Sequence, residues 1–543
     1  MAQLTRRTLL GGAAATLTSL AGLAACQTGS PTEEGMGRGV EQVTLPSQRA
    51  YTGVTPDLAG DGFALPNAFF SYPEVNSGDI LPPPGDGEKV RIACGVGGPT
   101  PPALGQNSYW QGLNQRIGSE LDYQMVPEAD YGPRAATLLA GGGLPDIMQI
   151  PQRMAKLPSI LEARFTDLTE HLSGDKILDY PYLANLPTYV WEQSTFRGGI
   201  YGVMRPLHLY GSFMFARNDM LAAAGATVGD IGNGEDFIDL CRELTQQSAN
   251  RWAAADPSWM VWFLTEMMGK PYYSQLKWHE EGGSFTHSHE TEEYRLAVET
   301  VAGMMKEGLF HPDAGALNGN EVIAQFVAGR IALDYRGGAQ WSTRITQDGL
   351  DIDVIPPVAW QGGGLGVKAL GTGTYTLAAI SKDVAPERVP TLLSVMNWLA
   401  APFGTPEHLY LQFGVEGEHH TRTAQTVERT ETGKNLIGLP NSYVAAPPPE
   451  LHVAGHPDIT RAMYDYIKTV IPNSLQDAAL GLWSETDNSE GPTIDRALSD
   501  TTTAVLRGQK TMGDFDAALD EWRGAGGDTI RHEYEAAFAE AHG

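Results

Sequence analysis

The chain has 543 residues and a formal net charge of −28, because 65 acidic residues outnumber 37 lysines and arginines. A protein this acidic repels nucleic acid and anionic lipid, so the composition excludes nucleic acid as a partner and excludes membrane contact through a basic surface. The hydrophobic content of 42% is sufficient for a packed core, and the length predicts a globular protein with at least two domains.

Residues 1–26 have the pattern of an export signal and are left out of the fold prediction. The pair Arg6 and Arg7 is typical of a twin-arginine signal, and the run Leu23–Cys26 resembles a bacterial lipobox. We therefore expect a lipid on the thiol of Cys26, which would hold the protein on the extracytoplasmic side of the cell membrane. An ordinary cleaved signal with a chance cysteine is the alternative.

A segment rich in proline follows the signal. Residues 27–87 carry eight prolines, and the part next to Cys26 predicts a flexible tether. In the later part the prolines alternate with aromatic residues, namely Tyr51, Phe63, Phe69, Phe70 and Tyr72. This mixture favours an ordered coil that wraps over the folded body, with disorder as the alternative.

Regular structure is predicted from residue 89 onward. Apolar runs of strand length occupy residues 90–96, 121–126 and 145–150, and helix-like stretches at 109–120 and 132–140 separate them. This alternation of strands and helices is the pattern of a parallel α/β sheet.

The rest of the chain predicts a second α/β unit and a helical tail. Strands are predicted at 213–216, 330–335, 350–355 and 374–380, and helices at 218–224, 236–246, 294–306, 321–328 and 386–399. Residues 459–541 are expected to be almost all helical. We therefore predict an α/β fold of two lobes, each assembled from discontinuous segments and joined by crossing strands that form a hinge.

The predicted boundaries assign residues 1–26 to the signal and 27–87 to the tether and wrapping segment. Lobe one takes 88–208 plus 347–402, and lobe two takes 209–346 plus 403–543. Chain crossings are expected near residues 205–213, 346–351 and 400–404.

Features that would indicate catalysis or a metal are weak. Ser212 lacks the second glycine of a nucleophile elbow. His279, His287, His289 and Glu290 have a spacing that metal sites can share, but the glycines and serines around them favour a solvated loop. No cofactor or metal is expected. Two cysteines beyond Cys26 favour buried free thiols over a disulfide, and they are Cys94 and Cys241.

Several short motifs, in order along the chain, resemble extracellular solute-binding proteins of the family-1 carbohydrate type, in particular the aldouronate and oligogalacturonide subgroup. These motifs are Gly202–Pro206, Phe215–Asp219, Gly234–Phe237, Phe326–Leu333, Phe413–His420 and Glu521–Asp528. Ala216 and His420 depart from the family pattern, which usually has tyrosine and an aromatic residue there.

The resemblance implies a two-lobe, type II-like periplasmic-binding-protein fold. It also implies a binding protein, not an enzyme, that captures a sugar for an ABC importer, and we expect that sugar to be an oligosaccharide. The implied partners are the permease's transmembrane subunits, with the protein itself a monomer. An exported carbohydrate-active enzyme is one alternative, because 65 acidic residues neither support nor exclude a catalytic carboxylate pair. A carbohydrate sensor or adhesion module is the other.

Sugar rings have apolar faces that aromatic side chains cover and a polar rim that a few polar groups orient. The helical spacing of Trp259, Trp262 and Phe263 favours the core for part of that face, whereas Trp278 lies outside the period and is a stacking candidate. The resemblance adds Trp341 as a second stacking candidate, with a core position as its alternative.

The remaining ligand candidates lie where loops after the strands of both lobes are expected to meet. Lobe one would supply Tyr109, Gln152 and Arg153, and the first crossing would supply Arg205, His208 and Tyr210. The resemblance implies Glu416 and His419 in the late loop, with a purely structural role for Glu416 as the alternative.

Overall fold

The computed structural model describes residues 43–75, 80–151, 154–423 and 426–542. The strands are β1 Val90–Val96, β2 Leu121–Pro127, β3 Ile147–Ile150, β4 Thr195–Phe196, β5 Gly199–Ile200, β6 Val203–Pro206, β7 Ser212–Arg217, β8 Trp278–Glu281, β9 Ser284–His287, β10 Leu333–Gly337, β11 Ile352–Ile355, β12 Lys368–Ala369, β13 Thr374–Ile380, β14 His420–Arg422, β15 Val427–Arg429 and β16 Ser474–Leu475.

The helices are α1 Ser108–Ile117, α2 Glu128–Ala140, α3 Leu157–Arg164, α4 Thr169–Leu172, α5 Thr188–Glu192, α6 Asn218–Ala224, α7 Gly234–Leu244, α8 Pro257–Met268, α9 Glu292–Glu307, α10 Gly319–Val327, α11 Gln340–Thr346, α12 Val389–Leu399, α13 Pro406–Phe413, α14 Glu431–Leu436, α15 Pro457–Val470, α16 Glu485–Ser489, α17 Gly491–Leu506, α18 Met512–Trp522 and α19 Asp528–His542. In the predicted helical tail, a coil at 476–484 follows the short strand β16.

The first sheet has the strand order β2-β1-β3-β13-β6. The strands β1, β2 and β3 are parallel, which confirms the sequence prediction for this part of the chain. The later strand β13 inserts between β3 and β6 and runs antiparallel to both, so the sheet is mixed. The C-terminal ends of β1, β2, β3 and β6 therefore meet the start of β13 at one edge of the sheet.

Both faces of the first sheet are covered. Along β13, Ala378 and Ile380 belong to one core cluster, and Leu377 and Ala379 belong to the cluster on the other face. This division follows the two-residue alternation of strand side chains. The two clusters together form lobe one.

The second sheet has the antiparallel order β10-β7-β11 and forms the centre of lobe two. On β7, Phe213 and Phe215 face a cluster with α10 and α15, whereas Met214 and Ala216 face the larger cluster with α7, α8 and α9. The chain therefore builds two α/β lobes, as the sequence predicted.

Capping residues explain where the lobe-two helices begin and end. The side chain of Asn233 accepts a hydrogen bond of 3.0 Å from the backbone N–H of Asp236 at the start of α7. The Thr291 hydroxyl does the same for Tyr294 at the start of α9, and Gly308 ends that helix with a φ of +77°. Such caps satisfy backbone groups that a helix leaves without partners.

The connections between the lobes differ in part from the expected ones. The first runs from β6 to β7 over residues 207–211, inside the expected range. Because β11 pairs with β7, the second crossing is residues 356–373 rather than 346–351. Because Tyr410, Ile437 and Val444 pack in the lobe-one core, the third crossing lies near 446–456 rather than 400–404.

This packing leads us to propose revised lobe boundaries. Lobe one would take residues 88–206, 374–445 and lobe two 212–355, 457–542. The expected return to lobe two at residue 403 does not fit, because helices α13 and α14 cover the first sheet.

The two cysteines of the folded body are free and buried. Cys94 lies in the lobe-one core and Cys241 in the lobe-two core, which explains why they do not pair. Burial raises the pKa of the Cys94 thiol to about 12, so the thiol stays protonated. No helix in the described part of the chain is both long and apolar enough to cross a membrane.

Candidate functional site

Residues 371–374, at the end of the second crossing, are held by amide side chains from both lobes; we call them the cleft floor. Gln193 of lobe one donates a hydrogen bond of 2.9 Å to the Thr372 carbonyl and accepts one of 2.6 Å from the Thr374 hydroxyl. From lobe two, the Gln275 carbonyl oxygen lies 3.4 Å from the Thr372 nitrogen, at the long limit of a hydrogen bond. The floor is therefore the place where side chains of both lobes converge.

Gln476 completes the support of the floor from the helical tail. Its side-chain amide donates a hydrogen bond of 3.2 Å to the carbonyl oxygen of Gly371. Three chain segments that are distant in sequence thus fix the same short stretch of backbone.

The lobe-one wall beside the floor contains an arginine between two tyrosines. The guanidinium carbon of Arg205 lies 4.8 Å from the ring centroid of Tyr443 and 5.8 Å from that of Tyr375. The Tyr375 hydroxyl donates a hydrogen bond to Glu128, which follows β2 at the same edge of the sheet. Within the described residues, no carboxylate forms an ion pair with Arg205, so its charge is available to a ligand.

The lobe-two wall contains a row of half-buried aromatic rings. Trp259 and Trp262 of α8 stack with their centroids 5.2 Å apart and their planes at 19°. Tyr272 and Tyr273 meet Trp262 edge-on at 5.9 and 5.4 Å. We call these four residues the aromatic row. Because Tyr273 is two residues from Gln275, the row adjoins the cleft floor.

A buried arginine supports the outer end of the row. The guanidinium carbon of Arg336 lies 4.1 Å from the centroid of Trp259, and its Nε donates a hydrogen bond of 2.9 Å to Asp334. The pKa of Asp334 is raised to about 6, because burial outweighs the stabilising arginine.

Beneath the aromatic row, a buried ion pair connects α8 to the second crossing. The Glu266 carboxylate accepts hydrogen bonds from Lys368 Nζ at 2.5 Å, from Tyr335 Oη at 2.9 Å and from the Ala369 nitrogen at 3.0 Å. Burial raises the pKa of Glu266 and lowers that of Lys368, and each charge partly offsets the effect on the other. The pair fixes the helix of the row to the segment that leads into the floor.

The first crossing carries two predicted ligand residues, stacked ring on ring. The rings of His208 and Tyr210 lie 4.5 Å apart. Burial lowers the pKa of His208 to about 4, so the imidazole is neutral at pH 7. Among the described residues, neither His208 Nδ1 nor the Tyr210 hydroxyl has a hydrogen-bonding partner.

The tail also reaches lobe one. Trp483, in the coil before α16, is half-buried and packs against the lobe-one cluster that contains Tyr201 and Leu377. This ring is therefore a further aromatic group at the junction of the lobes.

The two tryptophans predicted to stack on a ligand lie inside lobe two. Trp278 is 3% exposed and packs among the rings of Phe285, Trp522 and Tyr534. Trp341 is 5% exposed and meets Phe213, Phe215 and Tyr466 edge-on. In this conformation neither ring presents a free face to a ligand.

Three other predicted ligand residues lie together at the start of α1. Tyr109 is fully buried, and its hydroxyl donates a hydrogen bond of 2.9 Å to the Leu411 carbonyl. His419 is also buried, with its Nε2 atom 3.1 Å from the hydroxyl oxygen of Ser108. Glu416 is exposed on the same loop. The remaining two candidates, Gln152 and Arg153, lie outside the described residues.

The expected solvated loop around His279, His287 and His289 is wrong. These side chains lie on and just after the hairpin β8–β9 and are 9%, 1% and 4% exposed, because the tail helices α18 and α19 cover them. Their pKa values are lowered by burial, to about 4 for His279 and His289, so the imidazoles are neutral. The Glu290 carboxylate forms ion pairs with Arg523 and Arg531.

No grouping of three or more His, Cys, Asp or Glu side chains suited to a metal ion occurs in residues 43–75, 80–151, 154–423 and 426–542. A cavity of about 210 Å³ does lie between α9 and α18, but its two arginines form ion pairs with acidic groups of the same lining, and it is lined by lobe-two residues alone. It is therefore separate from the cleft floor.

The sequence named Arg205 of the lobe-one wall as a candidate, but it did not identify the aromatic row of the lobe-two wall. The helical spacing favoured a core position for Trp262 together with Phe263, whereas in the structure Phe263 is 1% exposed and Trp262 is half-buried. The floor glutamines and Tyr443 carried no local signal, because their role depends on contacts between distant segments.

The sequence of this chain is similar to those of known proteins. The sequence profile of a family described as bacterial extracellular solute-binding protein matches residues 108–402, which include strands of both sheets. Two proteins of Bacillus subtilis strain 168 are similar over most of their length. The polygalacturonan/rhamnogalacturonan-binding protein YtcQ is 22% identical, covering 79% of this chain and 87% of that protein. The lipoprotein LipO is 20% identical, covering 82% and 91%.

Among solved structures, the N-glycan transport solute-binding protein of Streptococcus pneumoniae is similar in fold. The TM-score is 0.60 at 16% identity, with coverage of 83% of this chain and 98% of that chain. This similarity supports the two-lobe arrangement.

Proposed function

The chain belongs to the bacterial extracellular solute-binding protein family, and we propose that it captures an oligosaccharide between its two lobes and delivers it to an ABC importer. The observation that carries this proposal is the aromatic row beside a floor that side chains of both lobes hold. The relatives named for binding polygalacturonan and transporting N-glycans support a carbohydrate as the ligand.

The aromatic row has the chemistry that a sugar ring requires. Trp262 is half-buried, so its ring is held by the protein but keeps part of its surface for contact with the C–H face of a sugar. Trp259 stacks on Trp262 and contacts Arg336, so it supports that ring. Tyr273 ends the row two residues before Gln275, whose side chain reaches the floor. A row of several rings suits a ligand of several sugar units.

The opposite wall supplies polar groups. Arg205 presents up to five N–H donors without a competing carboxylate partner among the described residues, and Glu128 supplies an acceptor beyond Tyr375. Sugar hydroxyls can accept hydrogen bonds from Arg205 and donate them to Glu128. A sugar carboxylate would form an ion pair with Arg205. We also retain Gln152 and Arg153, which come after β3 in the sequence, as candidate ligand residues.

We further propose that ligand binding closes the lobes about the crossings. A ligand that contacts Trp262 on lobe two and Arg205 on lobe one would bind the closed state more tightly and shift the population toward it. His208 is neutral, and the Tyr210 hydroxyl has no hydrogen-bonding partner among the described residues. Both lie in the first crossing and would gain contacts through that movement.

The location of the protein is also a proposal. Export through the twin-arginine pair and lipidation of Cys26 would hold the protein outside the cytoplasm, as a monomer near its permease, and a lipoprotein among the relatives supports this. The residues concerned lie outside the described part of the chain.

A panel of oligosaccharides, including polygalacturonan and N-glycan fragments, would test the function by thermal shift, because a ligand raises the apparent stability. We expect at least one oligosaccharide to raise the melting temperature and to reduce the radius of gyration in X-ray scattering. Failure of every sugar in the panel would contradict the proposal. Turnover of the bound sugar would instead favour the alternative of an exported enzyme.

A further inference from the structure

Residues 54–73 leave lobe one, pass over lobe two and return to lobe one; we call this segment the hinge strap. It lies before the first strand of the fold and outside the part of the chain that the family profile matches. Its two ends meet at one residue. A methyl group placed on the Cα of Gly404 would lie 2.6 Å from Val54 Cγ1 and 2.7 Å from Pro73 Cγ.

The middle of the strap is bound to lobe two. Leu65 and Ala68 are 8% and 0% exposed and belong to the lobe-two cluster that also contains Tyr464 of α15. The Tyr464 hydroxyl donates a hydrogen bond of 2.6 Å to the carbonyl oxygen of Ala59. The guanidinium of Arg461 lies over the ring of Phe70 at 4.7 Å.

The strap also contacts each of the three crossings. Ala64 packs with Leu209 of the first crossing and Leu370 of the second in a small buried cluster. At the third crossing, the Phe69 nitrogen donates to the Leu451 carbonyl and the Leu451 nitrogen donates to the Asn67 carbonyl, both at 2.8 Å.

An aromatic junction closes the return to lobe one. The ring of Phe403 lies 4.7 Å from Phe69 and 4.8 Å from Tyr72, both in the strap, and 5.4 Å from His452 in the third crossing. Tyr72 is anchored further by a hydrogen bond of 2.8 Å to His408 Nδ1. Lobe one, the strap and the third crossing therefore meet in one packed group.

We propose that the hinge strap limits how far the two lobes can open. It adds two covalent passages between the lobes to the three crossings, and its contacts would have to break or slide when the lobes rotate apart. A hinge works by changing backbone angles in a few connecting residues. A further segment packed against all of those connections therefore narrows the range of angles through which the lobes can rotate. This inference concerns the protein without ligand and does not depend on which solute it binds.

The position of the ends suggests the experiment. Because Val54 and Pro73 both contact Gly404, residues 55–72 can be replaced by a glycine-serine linker of about four residues, which spans up to roughly 14 Å. Spin labels on cysteines at Glu170 of lobe one and Leu296 of lobe two, both exposed, report the distance between the lobes.

We expect the replacement to broaden the distribution of distances between the labels in the ligand-free protein. If it does not fold, Leu65→Ala combined with Tyr464→Phe loosens only the lobe-two attachment and should broaden the distribution to a smaller extent. Ser47→Ala is the control, since the Ser47 hydroxyl donates a hydrogen bond to Asp175 of lobe one, and its loss should leave the distribution unchanged. A distribution as narrow as that of the parent in the folded strap variants would overturn the proposal.

Discussion

The Nζ atom of Lys368 donates a hydrogen bond of 2.5 Å to the carboxylate of Glu266, and both side chains are only 1% exposed. One residue belongs to the second crossing and the other to the helix that carries Trp259 and Trp262. The pair therefore connects the hinge to the aromatic row through the interior of lobe two. Desolvation makes such a pair costly, so its contribution depends on both charges being present.

Replacing one member of this pair should be more harmful than replacing both. Lys368→Met leaves the Glu266 carboxylate buried without its cation and should lower the free energy of unfolding by about 3–5 kcal/mol. The double variant Glu266→Gln with Lys368→Met should recover most of that loss, because no buried charge remains. Urea unfolding of parent, single and double variants measures the coupling. Equal losses in the single and double variants would contradict it.

Trp262→Ala should weaken binding of the cognate oligosaccharide by at least about tenfold, or roughly 1.4 kcal/mol, because a stacking face is lost. Calorimetric titration measures the change. Trp360→Ala is the matched control, since this half-buried tryptophan packs against Gly234 and not against the aromatic row. Equal loss of affinity in both variants would place the binding surface elsewhere.

Gly404→Ala should destabilise the protein by about 2 kcal/mol or more. Gly404 has a φ of +85°, which disfavours a side chain, and the added methyl group would collide with Val54 and Pro73. Gly417→Ala isolates the backbone component, because its φ is +81° but no atom of the described residues lies within 4 Å of an added methyl group. Chemical denaturation should show a smaller loss for Gly417→Ala. If the two variants lose the same free energy of unfolding, the collision with the strap residues adds nothing to the cost of Gly404→Ala.

The Glu450 carboxyl makes stability depend on pH. Burial raises its pKa from 4.5 to about 7, although Asn67 donates a hydrogen bond to it. The folded state therefore binds more protons than the unfolded state between these values, so stability falls as pH rises from about 4.5 to about 7, by up to about 3 kcal/mol.

Glu450→Gln should remove this fall and raise the melting temperature at pH 8 relative to the parent, while leaving it similar at pH 4. Melting curves across that range measure the effect, with the exposed Glu170→Gln as control. A parent and a Glu450→Gln variant with parallel pH profiles would show that this carboxyl titrates normally.

Cys26→Ala should release the protein from the membrane into the soluble fraction, because the thiol is the expected site of lipidation. Fractionation followed by immunodetection measures the partition, and Cys94→Ala is the control, since this buried cysteine lies in the folded body. Retention of the Cys26→Ala protein in the membrane fraction would mean that another feature anchors it.

Local pattern in the sequence was sufficient to predict many of the strands and helices and the α/β class of the fold. The apolar run of strand length at residues 90–96 predicts a strand, and the apolar face of residues 236–246 predicts a helix, because helix side chains repeat about every 3.6 residues. The order of strands and helices in the first half predicts three parallel strands, and β1, β2 and β3 pair in that way.

Only the tertiary structure decided which aromatic residues pack inside and which border the floor. Trp278 looked free of any helical period, yet tail helices more than 230 residues away cover it, whereas Trp262 keeps part of its surface exposed. The course of the crossings and the path of residues 54–73 were decided in the same way. Burial and hinge geometry depend on contacts between distant segments, and neither composition nor local periodicity records those contacts.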